Sequence, residues 1–320
     1  MDQQKIYTDI ANKLSSAKKI LLTTHENPDG DALGSLVAMY DYLLTQDKQC
    51  FLFCYNLAEH QFQFLPHSEK IIEDKNKIPF AEFDLVIMLD CASLHRSRIG
   101  DLIKKMNLPI INIDHHISNE KFGDINLIDA KAVSTTQILY DFFKSQKIVI
   151  KQNMATGILT GILTDSGNFA YTTTTSHTFN IASEMLTSGA NVRSILNATK
   201  KRKDLPTLQI WGLALNRLQY NSKYDVAYTV LTQDDIKEFN INMNDLEGLA
   251  SFLNTLKNAK AVLVLTELDD GRVKGSFRTN RNDVDVSKFA QAFGGGGHQK
   301  AAGFEIRGKL QQTDQGWTIV

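Results

Sequence analysis

The sequence predicts an α/β fold in two domains, a parallel-sheet domain followed by a smaller mixed-sheet one. Three observations carry that expectation. In the first half, strand-like apolar runs alternate with helical patterns, as crossover connections require. Three of the four runs stop at Asp or His, the strand ends where open α/β sheets place ligands. In the second half the rhythm changes to strands joined by an Asp269-Asp270-Gly271 hairpin turn, followed by four consecutive glycines. Length agrees, since 320 residues exceed one typical domain.

In chain order, "KKILLTT" (18–24), "QCFLFCYN" (49–56), "FDLVIMLD" (83–90) and "LPIINIDHH" (108–116) read as strands, with helices at 31–46 and 68–74 between them. Helices follow at 134–146, at 153–165, and at about 176–188, the last closed by Gly189. "ATKKRKDLPTL" (198–208) combines a solvated cation run with a proline and reads as the start of a connector. Strands at 224–232, 259–268 and 271–280, with helices at 245–256 and 286–292, make the second domain. "FGGGGHQKAAGFEI" (293–306) reads as a glycine loop leading into a short helix. The expected boundaries are 1–190, a connector at 191–215, and 216–320.

Composition narrows the partners. Apolar residues make up 42%, enough for buried cores, while 35 Lys+Arg against 36 Asp+Glu leave a formal charge of -1. No whole-protein basic field is available to draw in long duplex nucleic acid, so an anionic ligand must be met locally. No run approaches the ~18 apolar residues of a membrane span, and the start lacks a cationic segment followed by an apolar one. The expectation is a cytoplasmic protein with no membrane partner. Cys50, Cys54 and Cys91 read as buried reduced thiols.

"LLTTHENPDGDALGS" (21–35) packs His25, Glu26, Asp29 and Asp31 behind a strand. Pro28 and Gly30 explain a turn, but a turn does not account for His25 or Asp31. Asp90 ends a second strand, Asp114, His115 and His116 end a third, and Asp165 ends a helix rich in small residues. Singly, each has an ordinary reading, as a helix cap or a satisfied polar group. Together, His25, Asp29, Asp31, Asp90, His115 and Asp165 supply four carboxylates and two imidazoles with no thiolate. That donor set suits Mn²⁺ best, admits Mg²⁺, Co²⁺ or Fe²⁺, and argues against structural zinc. Two divalent cations balance four negative ligands and explain how so many acids share one site.

These segments resemble the motifs of the DHH/DHHA1 phosphoesterases, most closely the stand-alone oligoribonuclease (nanoRNase) and 3′-phosphoadenosine 5′-phosphate (pAp) phosphatase type. The matching motifs, in order, are "HENPDGDALGS", "LDCAS", "DHH" at 114–116, "LTDSGNF" and "GGGGHQKAAGF". They cover nearly the whole chain and depart from the family pattern at no ligand position. The resemblance implies a DHH catalytic domain and a DHHA1 substrate domain with a cleft between them. It also implies one cation on His25, Asp29 and Asp90 and a second on Asp31, Asp90, His115 and Asp165, with Asp90 bridging. Asp114 would orient His115, and His116 would face the phosphate. Arg278, Gly295, Gly296, Gly297 and His298 would hold substrate, with Arg98 a further candidate. The implied substrates are short RNA, dinucleotides such as pApA and pGpG, and pAp. A cyclic-di-AMP phosphodiesterase and a non-catalytic nucleotide-binding regulator are the alternatives, and a homodimer stays open.

Overall fold

A computed structural model describes residues 3–56, 60–199, 203–313 and 316–320. The chain divides into two compact units, Met1–Lys201 and Arg202–Val320.

The first unit begins with α1 (Gln3–Ser16), followed by β1 (Lys19–Thr23), α2 (Gly30–Leu44), β2 (Gln49–Phe53), β3 (Ile71–Ile72) and β4 (Leu85–Leu89). Then come α3 (Gly100–Met106), β5 (Ile110–Asp114), β6 (Ile125–Ile128), α4 (Thr135–Ser145), α5 (Gln152–Asp165), α6 (Ser176–Thr187) and α7 (Val192–Thr199). The strands form one parallel sheet in the order β3-β2-β1-β4-β5-β6. Successive side chains serve opposite faces, so Ile20, Leu22, Ile87 and Ile113 enter one core with α2, α4 and α5. Leu21, Val86, Met88 and Ile110 enter the other, with α3. Burial on both faces is why these strands read as unbroken apolar runs.

The tightest helix contact is between α2 and α5. Gly34 and Gly157 face each other so closely that a Cβ on Gly34 would lie 2.4 Å from the Gly157 carbonyl oxygen. One on Gly30 would lie 2.3 Å from the Thr164 methyl. The two helices therefore run antiparallel along a seam of small residues, which brings the start of α2 beside the end of α5.

The second unit opens with α8 (Leu205–Asn216), β7 (Gln219–Asn221), β8 (Val226–Leu231), α9 (Gln233–Glu238), α10 (Leu249–Leu253) and β9 (Ala261–Glu267). It continues with β10 (Arg272–Arg278), α11 (Val286–Gln291), β11 (Gly296–His298), β12 (Ala301–Arg307), β13 (Leu310–Thr313) and β14 (Gly316–Ile319). Its main sheet runs β11-β12-β10-β9-β8-β7 and is mixed, with β8 and β9 parallel. The helices α8 and α10 pack on Val262 and Val264 on one face, and α11 packs on Phe277, Ala302 and Phe304 on the other.

Four expectations need correction. The segment 68–74 is not a helix: Ser68–Lys70 makes a single 3₁₀ turn behind His67 in left-handed conformation, and Ile71–Ile72 joins the sheet edge as β3. Seven residues with two adjacent β-branched side chains cannot sustain a helix against that pairing. The helix expected at 245–256 is broken by Gly248 at φ 95, leaving a 3₁₀ turn at Met243–Leu246 and the short α10. The stretch 191–215 is mostly helical, as α7 and α8, while Lys200, Lys201 and Arg202 of the cation run lie outside the described residues. The glycine run leads into a β-hairpin, β11 with β12, rather than into a helix.

Candidate metal centre

The strand order reverses at the neighbouring pair β1 and β4, the switch point where loops diverge and leave a crevice at the carboxyl ends. His25 follows β1, Asp90 follows β4, and Asp114 with His115 and His116 ends β5, so three adjacent strands deliver their polar ends to one spot. Asp90 sits at φ 53, a left-handed bend that turns its side chain out of the strand path. The α2–α5 seam brings Asp31 and Asp165 there from two helix ends.

Donor atoms of these residues fall into three overlapping groups, each within 4.8 Å: His25, Asp29 and Asp90; Asp31, His115 and Asp165; Asp90, His115 and His116. His25 Nε2 lies 3.4 Å from Asp90 Oδ2, and His115 Nε2 lies 3.6 Å from Asp90 Oδ1 and 3.2 Å from Asp165 Oδ2. The other nitrogen of His25 is 2.7 Å from the Glu26 carbonyl oxygen, which fixes the ring with Nε2 inward. Asp29 also caps α2, accepting from the Asp31 and Ala32 N–H groups at 3.0 and 3.1 Å, so the turn reading of this loop holds.

Electrostatics test whether this cluster suits a cation. Burial, then the neighbouring charges of Asp90 and Asp165, push the Asp31 carboxyl well above the usual carboxylate range. Burial likewise raises Asp165. For His115, burial works downward, but the hydrogen bond to Asp165 and the charges of Asp31 and Asp90 prevail and lift it to about 10. Without a metal, the carboxylates thus recruit protons on imidazole to offset their repulsion. An oxygen-rich, imidazole-containing donor set with that excess of negative charge fits divalent cations.

Asp114 differs from its expected role. Its Oδ1 accepts from His116 Nδ1 at 2.7 Å and from the backbone N–H groups of His115 and His116 at 2.8 and 3.2 Å. Asn119 Nδ2 donates to its Oδ2 at 2.6 Å. The ring it orients is therefore that of His116, while its bond to His115 is to the backbone N–H alone. The hydrogen bond to Asp114 leads the causes that raise the His116 imidazole. Arg98 donates to Glu26 at 2.5 Å, so its guanidinium braces the loop that carries His25. Residues that the sequence reading passed over also reach the cluster: Thr135 and Thr136, at the start of α4, bond to Asp31 and Asp90. The signal was present in "VSTTQ", where Ser134 caps a helix next to two hydroxyls.

In the second unit, pairing register places Arg278, Ala301 and His298 in one cross-strand row and Ser276, Gly303 and Gly296 in the next, all on one face. Arg278 and His298 stand two strand spacings apart, roughly 9.6 Å, with only small side chains between them. Beside Arg278, a cavity of about 220 Å³ is walled by Glu247 to Ser251 and floored by Thr266, Lys274 and Ser276. The Gly294 and Gly295 N–H groups donate back into α11, to the carbonyls of Gln291 and Ala290. These two N–H groups are therefore already paired within the unit. Gly295 and Gly297 are needed for packing, since a Cβ would lie 2.1 Å from the Gly303 carbonyl oxygen and 2.5 Å from that of Ala301. A Cβ on Gly296 would meet nothing within 4 Å, so the space over it is open on the Arg278 face.

A doubly wound sheet bearing a carboxylate–imidazole cluster at its switch point defines an α/β protein able to hold metal where a ligand arrives. The chain belongs to the DHH/DHHA1 family: the DHH family N-terminal domain matches residues 19–162 and the DHHA1 domain residues 223–315. It is 28% identical over 291 residues to a Thermus thermophilus protein named bifunctional oligoribonuclease and PAP phosphatase NrnA, spanning 90% of this chain and 84% of that one. A Streptococcus mutans protein named as a probable enzyme of the same kind is 27% identical over 299 residues, spanning 93% and 92%. A solved Bacteroides fragilis protein, described as exopolyphosphatase-related, superposes with a TM-score of 0.84 at 26% identity, covering 96% of this chain and 92% of its own. Among the described residues, no helix is long and apolar enough to cross a membrane.

Proposed function

We propose that this protein is a metal-dependent phosphoesterase that cleaves dinucleotides and very short RNA to 5′-mononucleotides and removes the 3′-phosphate of pAp. The observation that carries the reading is the sharing of Asp90 between His25 with Asp29 on one side and His115 on the other, within ligand reach of both. His25, Asp29 and Asp90 would hold one divalent cation, and Asp31, Asp90, His115 and Asp165 a second, with Mn²⁺ the best match to the donors. When bound, such a pair supplies Lewis-acid stabilisation of phosphoryl charge and an activated water.

The chain's own groups do the rest. His116 donates its Nδ1–H to Asp114 Oδ1 in a hydrogen bond, so in the protonated ring Nε2–H points away from that bond as a second donor. The hydrogen bond to Asp114 raises the ring's affinity for protons and so favours that donor form, which can bond a phosphate oxygen or protonate the departing sugar oxygen. In the second unit, Arg278 and His298 would grip phosphate or base across the open floor formed by Ala301, Gly303 and Gly296. A compact two-point grip suits short ligands, and both named relatives support that substrate class.

The test is a product assay with purified protein and Mn²⁺ on pApA, pGpG, pAp and cyclic di-AMP. AMP from pApA and pAp, with GMP from pGpG, is the expected result. Turnover of cyclic di-AMP alone would replace this reading, and turnover of none would end it.

A further inference from the structure

Asp31 and Asp90 reach the cluster from different elements, and both side chains are sealed from solvent, 0% and 1% exposed. Two carboxylates so placed repel when both are ionised, and hydrogen-bond donors aimed at them offset that repulsion. One short segment touches both. Thr135, the first residue of α4, donates its backbone N–H to Asp31 Oδ2 at 2.6 Å and its hydroxyl to Asp90 Oδ1 at 3.0 Å. Thr136 donates both its N–H, at 3.0 Å, and its hydroxyl, at 2.9 Å, to Asp31 Oδ1. Ser134, Thr135 and Thr136 are all 0% exposed, so water does not compete for these bonds.

The direction of each bond follows from the chemistry. As a cation ligand Asp31 is ionised and only accepts, so the single Thr136 hydroxyl proton goes to it. Ser134 Oγ, 2.8 Å from Thr136 Oγ1, must then donate to Thr136, while itself accepting from the Gln137 N–H at 3.1 Å. A directed chain runs from the α4 backbone through two hydroxyls to Asp31 Oδ1. That oxygen carries two donors. Oδ2 carries one, and it is the oxygen that faces His115 Nε2, at 3.9 Å.

We infer that Thr135 and Thr136 are positioning residues for the cation site. They anchor Asp31 by Oδ1, present Oδ2 as its single ligand atom, and through the Thr135 hydroxyl lock Asp31 to Asp90. They thereby set the spacing between the two cation positions. The inference rests on the two-cation reading above. Nearby, Gly161 leaves the room this requires: a Cβ there would lie 2.3 Å from both Asp31 Oδ1 and Thr136 Oγ1.

The test compares wild type with Thr135→Val, Thr136→Val and Thr135→Ser after metal stripping. Free Mn²⁺ is followed by its electron paramagnetic resonance signal, and kcat and KM are measured on pApA. The Val variants should bind the more weakly held Mn²⁺ about 10–100-fold less tightly. Their kcat should fall while KM stays within about threefold, and Thr135→Ser, which keeps the hydroxyl, should restore both. Should a Val variant not fold, Gly161→Ala presses on the same bonds without removing a donor and should show the same loss of affinity. Wild-type Mn²⁺ affinity in folded Thr135→Val and Thr136→Val, or in Gly161→Ala, overturns the positioning role. A wild-type protein that binds fewer than two Mn²⁺ overturns the two-cation reading instead.

Discussion

Replacing Gly34 by alanine tests whether the α2–α5 seam builds the centre. The new Cβ would lie 2.4 Å from the Gly157 carbonyl oxygen, against an ordinary carbon–oxygen approach of about 3.3 Å. The obstacle is backbone, so the helices must part locally by roughly 0.9 Å. Alanine gains about 1 kcal/mol of helix propensity, and overpacking of this kind costs about 1–3 kcal/mol. The net loss of stability is therefore modest, roughly 0–2 kcal/mol. The site is less forgiving. The same Cβ would lie 3.3 Å from the Gly161 nitrogen, and Asp31 lies one turn before Gly34 on α2 and Asp165 one turn after Gly161 on α5, so the parting spreads to two proposed ligands of one cation position. Such centres tolerate about 0.5 Å of displacement, and Mn²⁺ affinity should drop about 10–100-fold. Isothermal titration with Mn²⁺, alongside a thermal melt, separates the two effects. Full Mn²⁺ affinity in folded Gly34→Ala would refute the claim that helix contact positions Asp31 against Asp165.

Two further outcomes bear on the second unit. Arg278→Ala should leave Mn²⁺ content unchanged but remove about 1.5–3 kcal/mol of charge-assisted bonding to substrate, lowering kcat/KM on pApA by roughly ten- to two-hundred-fold. A small activated diester such as bis-p-nitrophenyl phosphate should be much less affected, and equal losses on both would place Arg278 at the reacting phosphate. Asp235 is buried, which alone would raise its carboxyl, yet the Arg217 guanidinium and the Thr232 donors hold it below the usual range. Its folded value is depressed, so its contribution is complete above about pH 4 and fades as pH falls through the folded value. Asp235→Asn should cost on the order of 2–3 kcal/mol near neutrality, with the gap to wild type closing in melts below pH 4. A gap that does not change with pH would exclude the ion pair as its source.

Much of the centre was legible because strand ends are marked in sequence: Asp90 and Asp114-His115-His116 stop apolar runs, and the sheet topology gathers such stops. The partner of Asp114 follows from the strand period rather than from adjacency in sequence. Residues two apart share a side, so the period, carried past the strand end, pairs Asp114 with His116 rather than with His115. Thr135 and Thr136 carry no local signal of this role because their partners are 45 to 105 residues away, a distance no local pattern reports. The glycine run reads as a loop and helix because glycine is permissive in either setting. What decides is the close approach of Gly295 and Gly297 to β12, which exists only once the hairpin pairs. The two-residue β3 gave too short a pattern to compete with a helical reading.

The most direct test of the Asp90-centred site is product formation by metal-stripped protein on pApA, before and after adding Mn²⁺, for wild type and Asp90→Asn. Asp90 caps a strand already held by its apolar neighbours, so the Asn variant should fold. Wild type should release AMP only once Mn²⁺ is present, and Asp90→Asn should bind less Mn²⁺ and release none. AMP formation by Asp90→Asn at near wild-type rate, with two Mn²⁺ still bound, would contradict the shared-carboxylate centre.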